Sequence, residues 1–237
     1  MNGDRPSSLY LMFPPSDISR LESLFRVLIE LFLAQTLGDL EFVRGQAQSS
    51  NKYKMLLLMD EFTSIGKLKS YEKGLAYMRG YGVKSMVIIQ NNGQTNKLYE
   101  KDNAFMPNSD ILTTYYSNHP ETQSMISKMC GKTTVIQEKV SVSGSGRNKS
   151  KSFSQQEVAR DLILPDEVGM LKKTAKNYKG KMEAGENLVF VGGLSPIRNF
   201  MLPYFQDEEL SARTRIPLPD LIIDGKVIPY KNIPKEE

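Results

Sequence analysis

Tryptophan is absent from this 237-residue chain, and cysteine and histidine occur once each, as Cys130 and His119. A lone cysteine excludes an internal disulfide framework and suits a reducing compartment. With no second His or Cys nearby, no metal site is expected at His119; next to Pro120 it reads as a helix-entry residue. Long apolar runs are missing too. The most apolar stretch, residues 24–37, is interrupted by Arg26, Glu30 and Gln35 and falls short of the roughly twenty apolar residues that cross a bilayer. The first residues show no secretory leader, so a cytoplasmic location is expected. There is no internal repeat. A large excess of either charge is lacking: 31 Lys and Arg against 27 Asp and Glu leave a net +4. That balance permits nucleic-acid contact without arguing for it, because such a footprint is recognised by clustering.

What is present is concentrated in residues 55–61, MLLLMDE. An apolar run ending in two adjacent carboxylates is how a buried strand delivers acids to a nucleotide site. The alternative is a core strand whose Asp60 caps the following turn, and the run alone leaves both open. The downstream pattern bears on the choice. Residues 67–78 read as a helix with Leu68, Tyr71, Leu75 and Met78 near one face, broken by Gly80-Tyr81-Gly82. Residues 83–90, VKSMVIIQ, read as a second buried strand that ends in an amide. A strand–helix–strand unit of this length predicts a parallel crossover, with both strand ends on one edge of the sheet. Asp60, Glu61 and Gln90 are expected to converge there, on the edge where open α/β folds bind ligands.

Elsewhere the pattern alternates, as in a doubly wound α/β sheet. A strand is expected over Leu9–Phe13, then a helix from Ser16 or Asp17 to about Leu37 with Ile18, Leu21, Phe25, Leu28 and Phe32 inward. Residues 45–51 read as a surface loop. Further helices are expected over 93–101 and 120–129, and strands over 111–116 and 135–142. Residues 187–192 and 197–204 read as a hairpin, and Pro165 suits the first turn of a short helix. Residues 143–155 read as a flexible basic loop: either a solvated linker, or a phosphate-backbone contact through Arg147, Lys149 and Lys151.

The blocks SSLYLMFPPSDISRL, MLLLMDEFTSIGKL, LAYMRGYGVKSMVIIQ, SQQEVARDLILPDEV and NLVFVGGLSPIR occur in this order. Together they resemble the type IV secretion coupling proteins, the TraG/TraD-type ATPases of conjugation and effector secretion, over about residues 7–206. The resemblance implies a RecA-like, P-loop NTPase-type α/β fold, a mostly parallel sheet with flanking helices. It implies ATP and Mg²⁺ as cofactors, with Asp60 as the Walker B acid holding Mg²⁺ through water and Glu61 polarising the attacking water. Gln90 would be the γ-phosphate sensor. Arg79 has two open readings, an arginine finger reaching a neighbouring subunit or a helix-end cation favoured by the macrodipole. Arg160 stands where the family often carries an arginine, without an assignable role. Relatives of this kind are membrane-anchored hexamers that hand relaxosome-bound DNA or a protein substrate to the secretion channel.

The pattern also departs from the family. No G-x-x-x-x-G-K-[ST] segment exists. Gly131-Lys132-Thr133 comes nearest, but Ile126 stands where the first glycine belongs and a strand is expected to follow, so a plain turn is expected. Residues 1–212 are therefore read as the C-terminal part of a RecA-like domain lacking its P-loop segment, and 213–237 as a proline-containing tail. Such a half motor is expected to be inactive alone and to need a P-loop half, encoded separately or upstream. On the family's anchor it would sit at the cytoplasmic face of the inner membrane. The competing expectations are an inert truncated or split-gene module that only docks secretion machinery, and a related DNA translocase.

Overall fold

In the computed structural model, residues 4, 7–38, 40–49, 51–143, 150–216, 221–223 and 226–228 are described. Helix α1, Ile18–Thr36, opens after a 3₁₀ turn, Pro15–Asp17, in which the prolines preset φ for the first turn. Asp17 makes no side-chain cap and instead pairs with Arg20 at 3.1 Å. The inward face agrees with the expected one at Phe25, which packs on the core, and is rotated from it in the second half of the helix. Ile29, Leu33 and Thr36 are buried, whereas Leu28 and Phe32 are exposed with Leu24, Val27 and Leu31. Apolar residues cover most of this helix, so periodicity alone does not choose the buried side.

The expected strand at Leu9–Phe13 is irregular chain, with Leu9 75% and Met12 82% exposed. No neighbouring strand among the described residues offers it a ladder, and an unpaired strand has nothing to satisfy its backbone. The expected loop over 45–51 is mostly a hairpin, β1 (Leu40–Val43) with β2 (Gln46–Ser49), turned by Arg44 and Gly45 in left-handed conformations.

Strand β3, Met55–Met59, helix α2, Lys69–Met78, and strand β4, Val83–Val87, form the expected crossover. β3 and β4 pair in parallel, Met55 opposite Val83 and Met59 opposite Val87. Gly82 adopts φ 74°, the left-handed turn that reverses the chain from α2 into β4. One face of the pair packs on α1 and α2 around Ile29, Leu33, Met59, Phe62, Leu68, Tyr71, Met78 and Val83. The opposite face exposes Leu56, Leu58, Met86 and Ile88.

Helix α3, Asn92–Tyr99, follows, and then strand β5, Ile111–Thr114, and helix α4, Pro120–Cys130. His119 enters α4 as expected, and Gly131 ends it at φ 79°. Strands β6, Lys132–Ser143, and β7, Ser150–Asp161, pair antiparallel along their whole length. The expected loop over 143–155 is thus corrected at its C-terminal side: residues 150–155 belong to a ladder, because alternation continues through Lys151, Phe153 and Gln155. Arg147 and Lys149 lie outside the described residues.

The remaining elements are α5 (Pro165–Gly169), β8 (Ala175–Lys176), β9 (Met182–Glu183), β10 (Glu186–Val191), β11 (Ile197–Phe200), α6 (Glu208–Arg213), β12 (Leu221–Ile223) and β13 (Lys226–Ile228). β10 is flanked by β11 and β5, both antiparallel, which realises the expected hairpin. β12 and β13 form a further hairpin within the tail. The expectation of a mostly parallel sheet needs correction. Among the described residues β3 and β4 are the only parallel pair, and every other pairing is antiparallel. The chain is α/β, with a second core of Ile126, Cys130, Ile163, Val168, Leu171 and Leu188 beneath α4 and α5. Burial pushes the Cys130 thiol up, away from the reactive thiolate.

Arg198 reaches Glu186 at 3.0 Å through both carboxylate oxygens, and the Lys172 N–H adds 3.0 Å to one of them. The Arg198 guanidinium, then the Lys172 amide, hold the Glu186 carboxyl below the usual range. A depressed folded value contributes stability above the unfolded value, and that stability is lost as pH falls through the folded one. Arg198→Leu is therefore expected to lower the melting temperature at pH 7 by about 2–4 °C, the shift from about 1 kcal/mol in a chain of this size. The gap should narrow as the pH is lowered through the range in which Glu186 takes up its proton. Equal gaps at neutral and acid pH in calorimetry would reduce Arg198 to a packing role.

Candidate functional site at the acid edge

The C-terminal ends of β3 and β4 stay joined past their last paired residues. Ile88 N–H donates to Met59 O at 2.9 Å, and Phe62 N–H donates to Ile88 O at 3.1 Å. Asp60 and Glu61 are thus fixed on the chain directly beside the segment that carries Gln90. Both acids are exposed. Phe62 explains why. Its fully buried ring lies 5.5 Å from Tyr99 in a stacked pair, 5.3 Å from Tyr71 and 5.0 Å from Phe105. To bury Phe62 while leaving the sheet, the backbone at Glu61 takes φ 46°, ψ 45°. A left-handed glutamate costs about 1–3 kcal/mol and persists only where its surroundings force it. Here the aromatic cluster supplies the force, and the acids face solvent.

The turn after the acids is held from below. Tyr99 Oη accepts the Leu68 N–H at 2.8 Å and donates to Gly66 O at 3.4 Å. Gly66 has φ 74°, and the Glu22 carboxylate occupies the place where a Cβ would sit, so glycine suits the position on both counts. Burial pushes the Tyr99 hydroxyl up to about 12, and Tyr71 likewise to about 12 beside its hydrogen bond with Ser85. Both remain neutral phenols that hydrogen-bond and do not ionise.

At the edge itself Asp60 Oδ1 accepts the Glu61 N–H at 3.0 Å. Gln90 Nε2 donates to Glu61 Oε1 at 3.4 Å, so the expected meeting of Asp60, Glu61 and Gln90 is seen. Gln94 Nε2 donates to Gln90 Oε1 at 3.3 Å, and Thr63 Oγ1 donates to Gln94 Oε1 at 3.1 Å. Thr63 and Gln94 are not among the residues expected at this edge from the sequence. The available signal was the polar run after Ile89, QNNGQT, which opens α3 and sets Gln94 four residues beyond Gln90.

Arg79 is placed elsewhere. It is exposed, follows α2, and lies by the N-terminal end of β4, where Gly82 O accepts the Met55 N–H. Four residue steps of β4 separate that end from the other, roughly 13 Å. Arg79 therefore does not meet Glu61 of its own chain. Lys151 stands on β7, opposite Val142, well away in sequence from the acid edge. Gly131-Lys132-Thr133 is a helix C-terminus leading into β6, the reverse of a phosphate cradle. Arg160 acquires a role: it pairs with Glu167 at 2.8 Å, and Glu167 accepts the Leu164 N–H at 2.7 Å at the start of α5. That amide, and then Arg160, hold the Glu167 carboxyl below the usual range.

Chemically, the edge presents two carboxylates and an amide, all hard or neutral donors. No group of three His, Cys, Asp or Glu suited to a metal exists among the described residues. A carboxylate pair of this sort fits a cation that keeps most of its water and takes further oxygens from a phosphate, as Mg²⁺ does. No described helix is long and apolar enough to cross a membrane.

The family described as "Type IV secretory system Conjugative DNA transfer" matches residues 2–219. The conjugal transfer protein TraG of Escherichia coli is 33% identical over 228 residues, 92% of this chain and 36% of that protein. VirD4 of Rhizobium rhizogenes is 25% identical over 205 residues, 85% of this chain and 28% of that protein. The chain thus spans about a third of the length of these relatives. Among solved structures, the unbound bacterial conjugative coupling protein TrwB superposes with TM-score 0.58 at 17% identity, covering 80% of this chain and 39% of that one. TrwB in complex with ADP and Mg²⁺ gives TM-score 0.56 at 16% identity, covering 80% and 38%.

Proposed function

The chain belongs to the type IV secretory system conjugative DNA transfer family, and we propose that it is the C-terminal half of the RecA-like motor domain of a coupling ATPase that delivers DNA to a secretion channel. The observation that carries this reading is the convergence of Asp60, Glu61 and Gln90 at the C-terminal edge of the parallel pair β3–β4. TrwB forms a complex with ADP and Mg²⁺, and the acid edge offers this chain's share of a site for such a pair. When bound, Mg²⁺ would neutralise charge on the β- and γ-phosphates.

In this reading Asp60 holds the hydrated cation, being fixed on the strand end and free on its outer oxygen. Glu61, turned to solvent by its left-handed backbone, orients and polarises the attacking water. Gln90 contacts Glu61 directly and so can report the presence of phosphate to β4. Arg79, remote from its own acids, serves a neighbour's site in a hexamer. On the family's anchor the assembly would lie at the cytoplasmic face of the inner membrane, receiving relaxosome-bound DNA.

Half a site lacks the lysine and backbone cradle of the phosphate loop. Purified alone with Mg²⁺ and ATP, the chain is therefore expected to release no phosphate above background. Fused to the part of the E. coli TraG relative outside the match, it should gain turnover of order 1 s⁻¹, an ordinary enzyme rate. Such turnover by the isolated chain would show that an unrecognised loop supplies the phosphate contacts. A folded fusion that still lacks turnover would favour the second reading, an inert module that docks secretion machinery. The 36% coverage of the TraG relative and the missing phosphate loop are what keep that reading in play.

A DNA contact at the basic residues between and beside β6 and β7 belongs to the same reading. Arg147 and Lys149 belong to the segment joining its strands, and Lys151 stands near the start of β7. Replacing all three by Ala in a reconstituted assembly is expected to weaken single-stranded DNA binding. The log–log salt slope should flatten by roughly 0.7 per lost phosphate contact. An unchanged slope in filter-binding titrations would leave the segment as a solvated connection.

A further inference from the structure

Gln90 is exposed, yet its amide is not free to choose an orientation. An ionised carboxylate only accepts, so the Gln90 group facing Glu61 Oε1 at 3.4 Å must be its NH₂. That leaves Gln90 Oε1 towards Gln94, whose own NH₂ must then donate across 3.3 Å. Gln94 Oε1 in turn faces Thr63, whose hydroxyl must donate across 3.1 Å. Every orientation along Thr63, Gln94, Gln90 and Glu61 is thus dictated from the acid end. The far end of this relay stands on rigid supports. Thr63 follows the buried Phe62 in a 3₁₀ turn, and the Gln94 N–H is tied to the N-cap Asn91 Oδ1 at 3.0 Å.

We infer that Thr63 and Gln94 are positioning residues that hold the Gln90 amide with its NH₂ towards Glu61. The catalytic consequence rests on the motor reading above; the relay itself is a property of the isolated chain. If either support is removed, Gln90 can present its carbonyl to the carboxylate, where two acceptors repel, or swing into solvent. In the motor, a displaced Gln90 slows the chemical step while leaving nucleotide binding unchanged, because neither Thr63 nor Gln94 belongs to the acid pair.

The relay is tested in the ¹⁵N-labelled chain by the side-chain NH₂ signals of Gln90, identified by their loss in Gln90→Leu. Thr63→Val and Gln94→Met should each move these signals towards the free-amide position and speed their hydrogen exchange several-fold. Thr63→Ser, which keeps the donor, should restore them, with melting temperatures close to the parent. Gln90 signals unmoved in both variants overturn the relay. In the TraG fusion described above, Thr63→Val should lower kcat about tenfold with nucleotide KM within twofold, and Thr63→Ser should recover it. An unchanged kcat in a fusion that turns over would overturn the positioning role even if the signals move. A parent fusion without turnover counts against the motor reading, and the amide signals then decide the relay by themselves.

Discussion

Glu61→Gln, in a chain whose phosphate-loop half has been restored, is expected to abolish hydrolysis and leave ATP binding nearly intact. The amide keeps the shape of the side chain and loses the charge that polarises water. General-base assistance contributes typically 10²–10⁴-fold, so kcat should fall by about that factor. Asp60→Ala should behave differently. Its carboxylate is the one fixed beside the strand end, accepting the Glu61 N–H at 3.0 Å, and its loss should weaken Mg²⁺-dependent nucleotide binding. Nucleotide titration and phosphate release on both variants separate the roles. Equal losses of binding and hydrolysis in the two would sink the division proposed here.

The convergence of these acids with Gln90 is legible in the sequence because a parallel strand pair imposes few choices. An apolar run, a ten-residue helix and a second apolar run can close only by a crossover, which brings both C-terminal ends to one edge. Asp60, Glu61 and Gln90 follow from that topology. Leu68, Tyr71 and Met78 were legible for the same reason, since one helix face had to meet the sheet. Side-chain relays are not written in periodicity. Thr63 and Gln94 meet only because Phe62 bends the chain into an aromatic cluster that reaches as far along the sequence as Phe105. Strand partners were equally hidden. Leu9–Phe13 has strand-forming residues and lacks a neighbour among the described residues, whereas the polar Gln46–Ser49 pairs because Arg44 and Gly45 turn it onto β1. Pairing depends on the partner as much as on the segment.

The exposed apolar residues connect fold and function. Leu56, Leu58, Met86 and Ile88 line one face of the β3–β4 pair, and Leu24, Val27 and Leu31 the outer side of α1. Parallel sheets are ordinarily covered on both faces, and two strands alone are marginal. These surfaces suit a chain that spans 36% of its TraG relative.

Arg79→Ala is expected to cripple a reconstituted hexamer and spare the folding of the single chain. The residue lies roughly 13 Å along β4 from the acid edge, carries no ion pair among the described residues, and is exposed. A cation so placed cannot serve its own Glu61, but a long side chain on the surface can reach a neighbour's nucleotide. A guanidinium supplied in trans to a transferring phosphoryl group contributes about 10³–10⁵ in rate. As a helix-end cation, Arg79 would contribute only about 0.3–1 kcal/mol of stability. Mixing decides between them. In the restored context, Arg79→Ala subunits and Glu61→Gln subunits are each expected to be inactive alone. In a mixed ring, some interfaces join the intact Arg79 of a Glu61→Gln subunit to the intact Glu61 of an Arg79→Ala subunit. Partial recovery of phosphate release, with mixed assembly confirmed by native mass measurement, is the result a trans role requires. Mixed rings that recover nothing would return Arg79 to the role of a local charge at the end of α2.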